Sequence, residues 1–323
     1  MRYVLRHFFH AILLLLVLSF LSFALLQCAP GDFFEAMRMN PRVSARTING
    51  LRSEYGLDRP FPVRYALWMR SMIRGEMGFS FAYESPVGPL LWPRARNTLL
   101  LAGSSTLLAW FLAIPLGIWM AARKGHFADR ACGVATSALL AIPDLLLFLL
   151  LLLIAVRTGW FPAGGMASPG FDDLAFWSKV KDILLHFALP SLGLAVVTLP
   201  ILLRHVRAAM IEVLNSPFIL AARGHGIPRS RLLWRYALPA ASNPLISLFG
   251  FSVATMLSAS AIVEVILSWP GLGPLMVQSI LSRDIYVVIG VVMLSSVFLV
   301  AGNLLADLLL FMSDPRIRAE SVQ

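Results

Sequence analysis

Four ionisable side chains fall inside long apolar runs of this chain: Asp144, His186, Glu264 and Asp307. A charged group at bilayer depth is unfavourable and usually faces a polar interior, so such residues are candidates for a solute pathway, an ion relay or helix pairing. Asp144 follows Pro143 and reads equally as a pathway residue and as the partner of a helix kink. Chemistry of other kinds is poorly served. A phosphate-binding loop of the form GxxxxGK[ST] needs a lysine after glycine, and the three lysines, Lys124, Lys179 and Lys181, follow Arg123, Ser178 and Val180. No nucleophile, metal or paired-carboxylate constellation stands out, so the chain is expected to be no enzyme by itself and to bind no cofactor or metal. Cys28 and Cys132 lie in separate apolar regions and read as packed thiols rather than a disulfide or metal site.

The elements that would position these residues are membrane helices. Hydrophobic residues make up 58% and charged residues 14% of the 323, with a mean hydropathy of +0.77, far from the roughly 45–50% and 25% of soluble domains. A net charge of +10 would suit nucleic acid only on a solvated domain, and none is long enough here, so nucleic acid is not an expected partner. Six apolar segments can span, at about 9–29, 97–121, 131–156, 183–203, 239–267 and 286–312. This divides the chain into a tip and first span (1–29), an outer loop (30–96), a five-span core (97–312) that includes a polar loop at 204–238, and a tail (313–323). The first span is too long for a signal-peptide core, and Gln27 is too bulky before Cys28 for a lipoprotein cleavage box.

Basic residues at Arg2 and Arg6, Arg123 to Arg130, Arg204 to Arg235, and Arg316 and Arg318 fall on one side if six spans alternate. The positive-inside rule makes that side, and both termini, cytoplasmic. The outer loop carries ten arginines against six acidic residues, but loops beyond about 60 residues translocate largely regardless of charge. Within it Tyr65, Trp68, Met69, Met72 and Ile73 recur at helical spacing, which predicts a short amphipathic helix lying on the membrane or on other spans.

The stretch FILAARGHGIPRSRLLWRYALPAASNPLI, residues 218–246, is the polar exception. Five arginines from Arg207 to Arg235 would cost roughly 12–18 kcal/mol at mid-bilayer, so this segment stays outside the lipid. Asn215 or Ser216 as N-cap, Pro217 at the first helical position, and Gly226 with Pro228 at the end predict a helix over about 217–225. Phe218, Ile219, Ala221 and Ala222 give it an apolar face, while Gly224 and Gly226 permit close approach by a partner surface.

AARGHGIPRSRLLWRYALP resembles the cytoplasmic signature of ABC importer permeases: two alanines, three residues, a glycine, and, after a longer gap, Leu-Pro. The departures are Leu220 where many families have glutamate and Tyr236 where they have isoleucine, so the salt bridge made there elsewhere does not carry over. YGLDRPFPVRY, GEMGFS, SPVGPLLWPRARNTLLL, GWFPAGG, HFALPSLGL, IVEVILSWPGLGPLMVQSILSRDIYVVIG, NLLADLL and DPRIR, in that order, are similar to the dipeptide, oligopeptide and nickel permease family over nearly the whole chain.

The resemblance implies an all-α membrane protein of six transmembrane helices with the type I ABC importer permease fold, an N-terminal span and a long periplasmic loop. It implies that Phe218 to Gly226 is a coupling helix seated in a cleft of an ATPase subunit. In that role Phe218 is an apolar anchor, Ile219, Ala221 and Ala222 belong to the contact face, Arg223 and His225 are rim contacts, and Gly224 and Gly226 are close-approach positions. Leu238 and Pro239 close the signature. The resemblance also makes Trp269, Pro270 and Gly271 a candidate outer gate and gives Glu264 and Asp307 structural roles before substrate contact. The implied partners are membrane lipid, a second related permease, two cytoplasmic ATPases that hold ATP and Mg, and a periplasmic or lipid-anchored binding protein. The expected setting is the bacterial inner membrane. Two readings of other classes stand beside it: a carrier driven by an ion gradient through Asp144, His186 and Glu264, and a membrane scaffold that does not transport.

Overall fold

The computed structural model describes residues 2–28 and 58–313, together with Phe34, Arg46, Gly50, Ser53 and Gly56; at 2–8, 26–28 and 313 only the helical backbone is described. Most of residues 29–57, the first part of the expected outer loop 30–96, and the tail 314–323, with its DPRIR segment, lie outside the described residues.

Ten helices carry the architecture among the described residues: α1 (Arg2–Cys28), α2 (Phe61–Ile73), α3 (Val87–Ala122), α4 (Phe127–Ala141), α5 (Asp144–Thr158), α6 (Phe176–Leu214), α7 (Pro217–Gly224), α8 (Ser242–Ile266), α9 (Leu272–Leu281) and α10 (Ile285–Ser313). In hydrocarbon the backbone must satisfy its own hydrogen bonds, which is why apolar runs of this length fold as helices. The only strands among the described residues are β1 (Phe79–Ser80) and β2 (Ser85–Pro86), a two-residue antiparallel ladder that the all-helical expectation did not include.

Helices α3, α6, α8 and α10 are each long and apolar enough to cross a membrane, and α4 with α5 makes a fifth span if that bent pair is counted as one; α1 contains the shorter apolar helix Phe9–Leu25. The expected span 131–156 is divided between α4 and α5 at Pro143, where a kink was one of the two readings of Asp144. Its two halves are bent by 97° at Ile142–Pro143. Proline lacks the N–H that would continue α4 and pushes its predecessor out of the helical region, and Ile142 is accordingly extended, with ψ 121°. Pro190 and Pro200, by contrast, lie buried inside the continuous α6.

The described residues of 3–98, with 270–300, form one compact unit. Here the predicted amphipathic helix exists as α2. Trp68 is buried with Phe23, Ile289 and Met293, and Tyr65, Met69 and Met72 pack against them. The hydroxyls of Tyr65 and Ser19 lie 2.8 Å apart. Ile73, grouped with this face by its spacing, is instead 81% exposed. A fully buried carboxylate, Asp284, precedes α10 and accepts bonds from the Ser80 hydroxyl at 2.6 Å and the Ala82 N–H at 3.1 Å. In the same unit, Thr98 Oγ1 accepts the Leu272 N–H at 2.9 Å and so satisfies a donor at the start of α9.

The described residues of 99–269 and 301–313 form the second unit. Its core gathers Leu101, Trp110, Phe148, Leu194, Leu202 and Met256 from α3, α5, α6 and α8. Trp110 Nε1–H donates to Ser252 Oγ at 2.8 Å, so the indole is buried without an orphan donor. Small residues set the close approaches: a Cβ on Gly117 would sit 2.6 Å from Val206 Cγ1, and one on Gly250 would sit 2.3 Å from Ala306 Cβ. Such contacts let helix backbones pack where lipid supplies no hydrophobic drive between them. Because the atom met at Gly250 is a Cβ fixed to the backbone of α10, Gly250→Ala requires the helices to part. It is expected to destabilise by about 1–3 kcal/mol, seen as a lower thermal transition of the purified protein in detergent, whereas Gly133→Ala, which meets nothing within 4 Å, should leave the transition in place.

Candidate functional site

Helix α7 is built from its flanks. At the end of α6 the Asn215 side chain donates to the Ile211 carbonyl at 2.9 Å and the Ser216 hydroxyl to the Val213 carbonyl at 2.6 Å. Ser216 is the N-cap residue but makes no side-chain cap bond, which corrects the role expected of that pair. Pro217 starts the helix by fixing φ where no N–H is required. Gly226, at φ 75°, ends it: His225 N–H reaches the Ala221 carbonyl at 3.0 Å and Ile227 N–H the Ala222 carbonyl at 3.3 Å. That left-handed conformation is what the glycine supplies.

The helix has two faces, and they divide the predicted residues. Ile219 (0% exposed) and Ala222 (8%) point into the buried cluster with Met210, Leu232 and Ala237, so they are anchors within this chain. Phe218 is 49% and Leu220 52% exposed. Ala221, Arg223, Gly224, His225 and Gly226 are exposed with them. No atom lies within 4 Å of a Cβ built on Gly224 or Gly226, so close packing inside this chain requires neither glycine. After Pro228 a turn at Arg229–Arg231 runs into π-helix over Leu232–Ala237 and a last turn at Leu238–Ala240. Leu238 packs partly against the core and Pro239 is exposed. The π-helical stretch had no signal in the sequence reading.

Nor did the ion pair beside it. Asp129, 4% exposed, accepts Arg207 Nε–H at 2.6 Å and Nη2–H at 2.8 Å, and also takes the Gly125 N–H at 2.9 Å. The two-pronged geometry joins α4 to α6. Arg229 Nη2 donates to the Ala122 carbonyl, tying the end of α3 to the same loop. A hollow of about 160 Å³ lies under α7, with Lys124, Arg223, Arg229 and Asn215 among its lining.

The intramembrane candidates separate. Asp144 lines a cavity with Thr198, Ser252 and Thr255. His186 is buried, its Nδ1 2.9 Å from the Asp182 carbonyl, while the Asp182 carboxylate accepts the Ser168 hydroxyl at 2.6 Å and N–H at 2.9 Å. His186 thus belongs to the anchoring of the α5–α6 loop rather than to the cavity lining. Glu264 is fully buried and Asp307 half-buried, and neither is among the cavity's residues. Trp269 is buried with its ring centroid 5.6 Å from that of Phe187. The Pro270 carbonyl accepts Asn97 Nδ2–H at 2.9 Å, and Gly271 is the extended N-cap of α9. The structure gives these three residues packing and capping roles, and Trp269 falls in a different unit from Pro270 and Gly271.

A helical membrane core with a helix-bearing polar loop and an intramembrane cavity is the frame of a permease. The chain belongs to the family described as binding-protein-dependent transport system inner membrane component, whose model matches residues 113–319; the model of that component's N-terminal region matches residues 1–91. It is similar to the oligopeptide transport system permease protein AppB of Bacillus subtilis, 36% identical over 317 residues and 98% of each chain. It is also similar to the dipeptide transport system permease protein DppB of Escherichia coli, 30% identical over 98% of this chain and 99% of the relative. The fold is shared with the MetNI methionine ABC transporter in an inward-facing form, at a TM-score of 0.58 and 18% identity over 70% of this chain and 96% of that one. The chain is a permease subunit of an ABC importer in the inner membrane, a class in which ATPase activity lies on separate subunits and solute arrives on a binding protein. Membership removes the ion-gradient carrier and scaffold readings.

Arg207→Ala would leave the Asp129 carboxylate without its counter-charge, and because Arg207 is 32% exposed the expected loss is about 1–3 kcal/mol. The double variant Asp129→Ala/Arg207→Ala removes that orphan and should melt higher than Arg207→Ala alone; a double variant that is no better would show the two side chains do not act as a pair.

Proposed function

We propose that this chain forms half of the translocation pathway of an ATP-driven importer of peptides, beside a second, related permease and above two ATPases that meet α7 and its counterpart. The names of the relatives support the peptide class. The distribution of basic residues supports placing both termini and α7 in the cytoplasm, with the loop 30–96 outside. The division of the chain into segment 1–29, outer loop, core 97–312 and tail 313–323 follows from the same orientation. ATP and Mg belong to the ATPases, and a periplasmic or lipid-anchored protein delivers the solute.

The observation that carries the coupling role is the two-faced α7. Phe218 and Leu220, both about half exposed, make an apolar knob. Arg223 and His225 stand at its rim, and Gly224 and Gly226 leave room for an approaching surface. Buried Ile219 and Ala222 clamp the knob to the permease core, so a force applied at Phe218 is passed to α6 rather than absorbed by a loose loop. Closure of the ATPase pair would then draw the two α7 helices together and favour the outward-open state, a population shift driven by differential contact. The π-helical stretch, Leu238 and Pro239 form the return from this loop to α8.

Two substitutions separate docking from folding. Phe218→Ala removes half-exposed surface and is expected to leave insertion and thermal stability intact while lowering ATP-driven uptake at least about tenfold, with weaker co-purification of the ATPases. Ile219→Ala empties a core position and should cost about 2–5 kcal/mol of stability. Normal uptake and normal substrate-stimulated ATP hydrolysis in Phe218→Ala would refute the coupling assignment.

A further inference from the structure

The bend at Ile142–Pro143 opens onto a cavity of about 200 Å³ walled by α4, α5, α6 and α8. Its walls are mostly aliphatic, and the lining includes the exposed ring of Phe251. The polar atoms in the lining share one property. Each hydroxyl donates its proton to a backbone carbonyl: Thr198 to Leu194 at 3.1 Å, Ser252 to Phe249 at 2.7 Å, and Thr255 to Ser252 at 3.0 Å. Ser252 Oγ also accepts the Trp110 indole N–H. No side-chain donor is left over. What remains is acceptor capacity on Thr198 and Thr255, and the carboxylate of Asp144.

Asp144 is the only charged residue in the lining; it is exposed in the single chain, and among the described residues its carboxylate has neither an ion pair nor a hydrogen bond. A carboxylate at the middle of a broken span needs a counter-charge or water, and irregular backbone at that depth persists only where it is buried in protein or lines a cavity. Acceptors on one side, a single negative charge and aliphatic walls define the complement: a positively charged donor carried on a carbon body.

We infer that this cavity binds an alkylammonium group of the transported solute, with Asp144 as its counter-charge and the Thr198 and Thr255 oxygens as further acceptors. The inference rests on the reading of this chain as half of a peptide pathway. On that reading the ammonium is either the amino terminus of the peptide or a lysine side chain, and the aliphatic walls take the neighbouring carbon atoms.

The charge of the cavity can be read without any peptide. In the assembled importer, with Cys28 and Cys132 replaced by alanine, Ala259→Cys places a thiol in the lining. Its rates with 2-(trimethylammonium)ethyl and 2-sulfonatoethyl methanethiosulfonate are each divided by those for a free thiol in water. The cation is expected to be favoured about tenfold with Asp144 or Asp144→Glu, and not at all with Asp144→Asn. Equal preference with and without the carboxylate, or no reaction with either reagent, overturns the site. Uptake then separates the two sources of the ammonium. The probes are trialanine, N-acetyl-trialanine and N-acetyl-Ala-Lys-Ala. Asp144→Asn slows trialanine alone if the site holds the amino terminus, and the lysine peptide alone if it holds the side chain. Undiminished uptake of every transported probe overturns the role in transport. Loss of the second permease from Asp144→Asn would mean that the partner supplies the counter-charge, and the solute contact fails. A wild-type importer that takes up none of the three counts against the peptide reading, while the thiol result still decides the cavity.

Discussion

Everything in this protein follows from one condition, that a chain in hydrocarbon has no water to satisfy its peptide groups. The condition selects helices. It also makes each departure from a helix informative, because an interruption at that depth has to be surrounded by protein or by a cavity. The break between α4 and α5 meets the requirement with a cavity and a carboxylate. Pro190 and Pro200, which also delete N–H groups, sit among buried neighbours and leave α6 continuous. The same residue type therefore ends one helix and is absorbed by another, and the surroundings decide which.

Helix α6 joins the parts that matter. Thr198 lies at the cavity, Arg207 holds Asp129 of α4, and Leu214 ends the helix with two residues between it and α7. The cavity, the ion pair and the start of the α7 loop thus lie along one element. The part-buried pair Asp129–Arg207 ties α4, and with it one side of the break, to that element. Helix α7 shows the complementary economy: eight residues supply both the grip on the core and the surface left outside.

Much of this was legible in the residues. Apolar run length located the spanning helices, and Pro217 and Gly226 bracketed α7 because each fixes a backbone conformation by itself. The aromatic and methionine spacing of α2 was visible for the same local reason, and Asp144 drew notice as a charge within an apolar run. What stayed hidden was pairing at a distance. Asp129 and Arg207 are 78 residues apart, and Ser80 and Asp284 are 204 apart. Each of these residues sits in a polar neighbourhood where a charge or hydroxyl is unremarked. The inward turn of Ile219 and Ala222 was equally invisible, because an eight-residue apolar helix does not reveal which side its own chain will cover. Ile73 errs in the opposite sense: its spacing fits the buried face, but it is the last residue of α2, where the packing has already ended.

The length of α6 has a mechanical consequence. Its 39 residues make a rod about 58 Å long, nearly twice the roughly 30 Å of bilayer hydrocarbon. A tilt of about 5° about one end displaces the other by about 5 Å, close to one helical turn. Pivoted at Thr198, about 24 Å from Leu214, the same tilt still moves that end by about 2 Å, so a small change of angle at the cavity becomes a displacement at the far end of the rod.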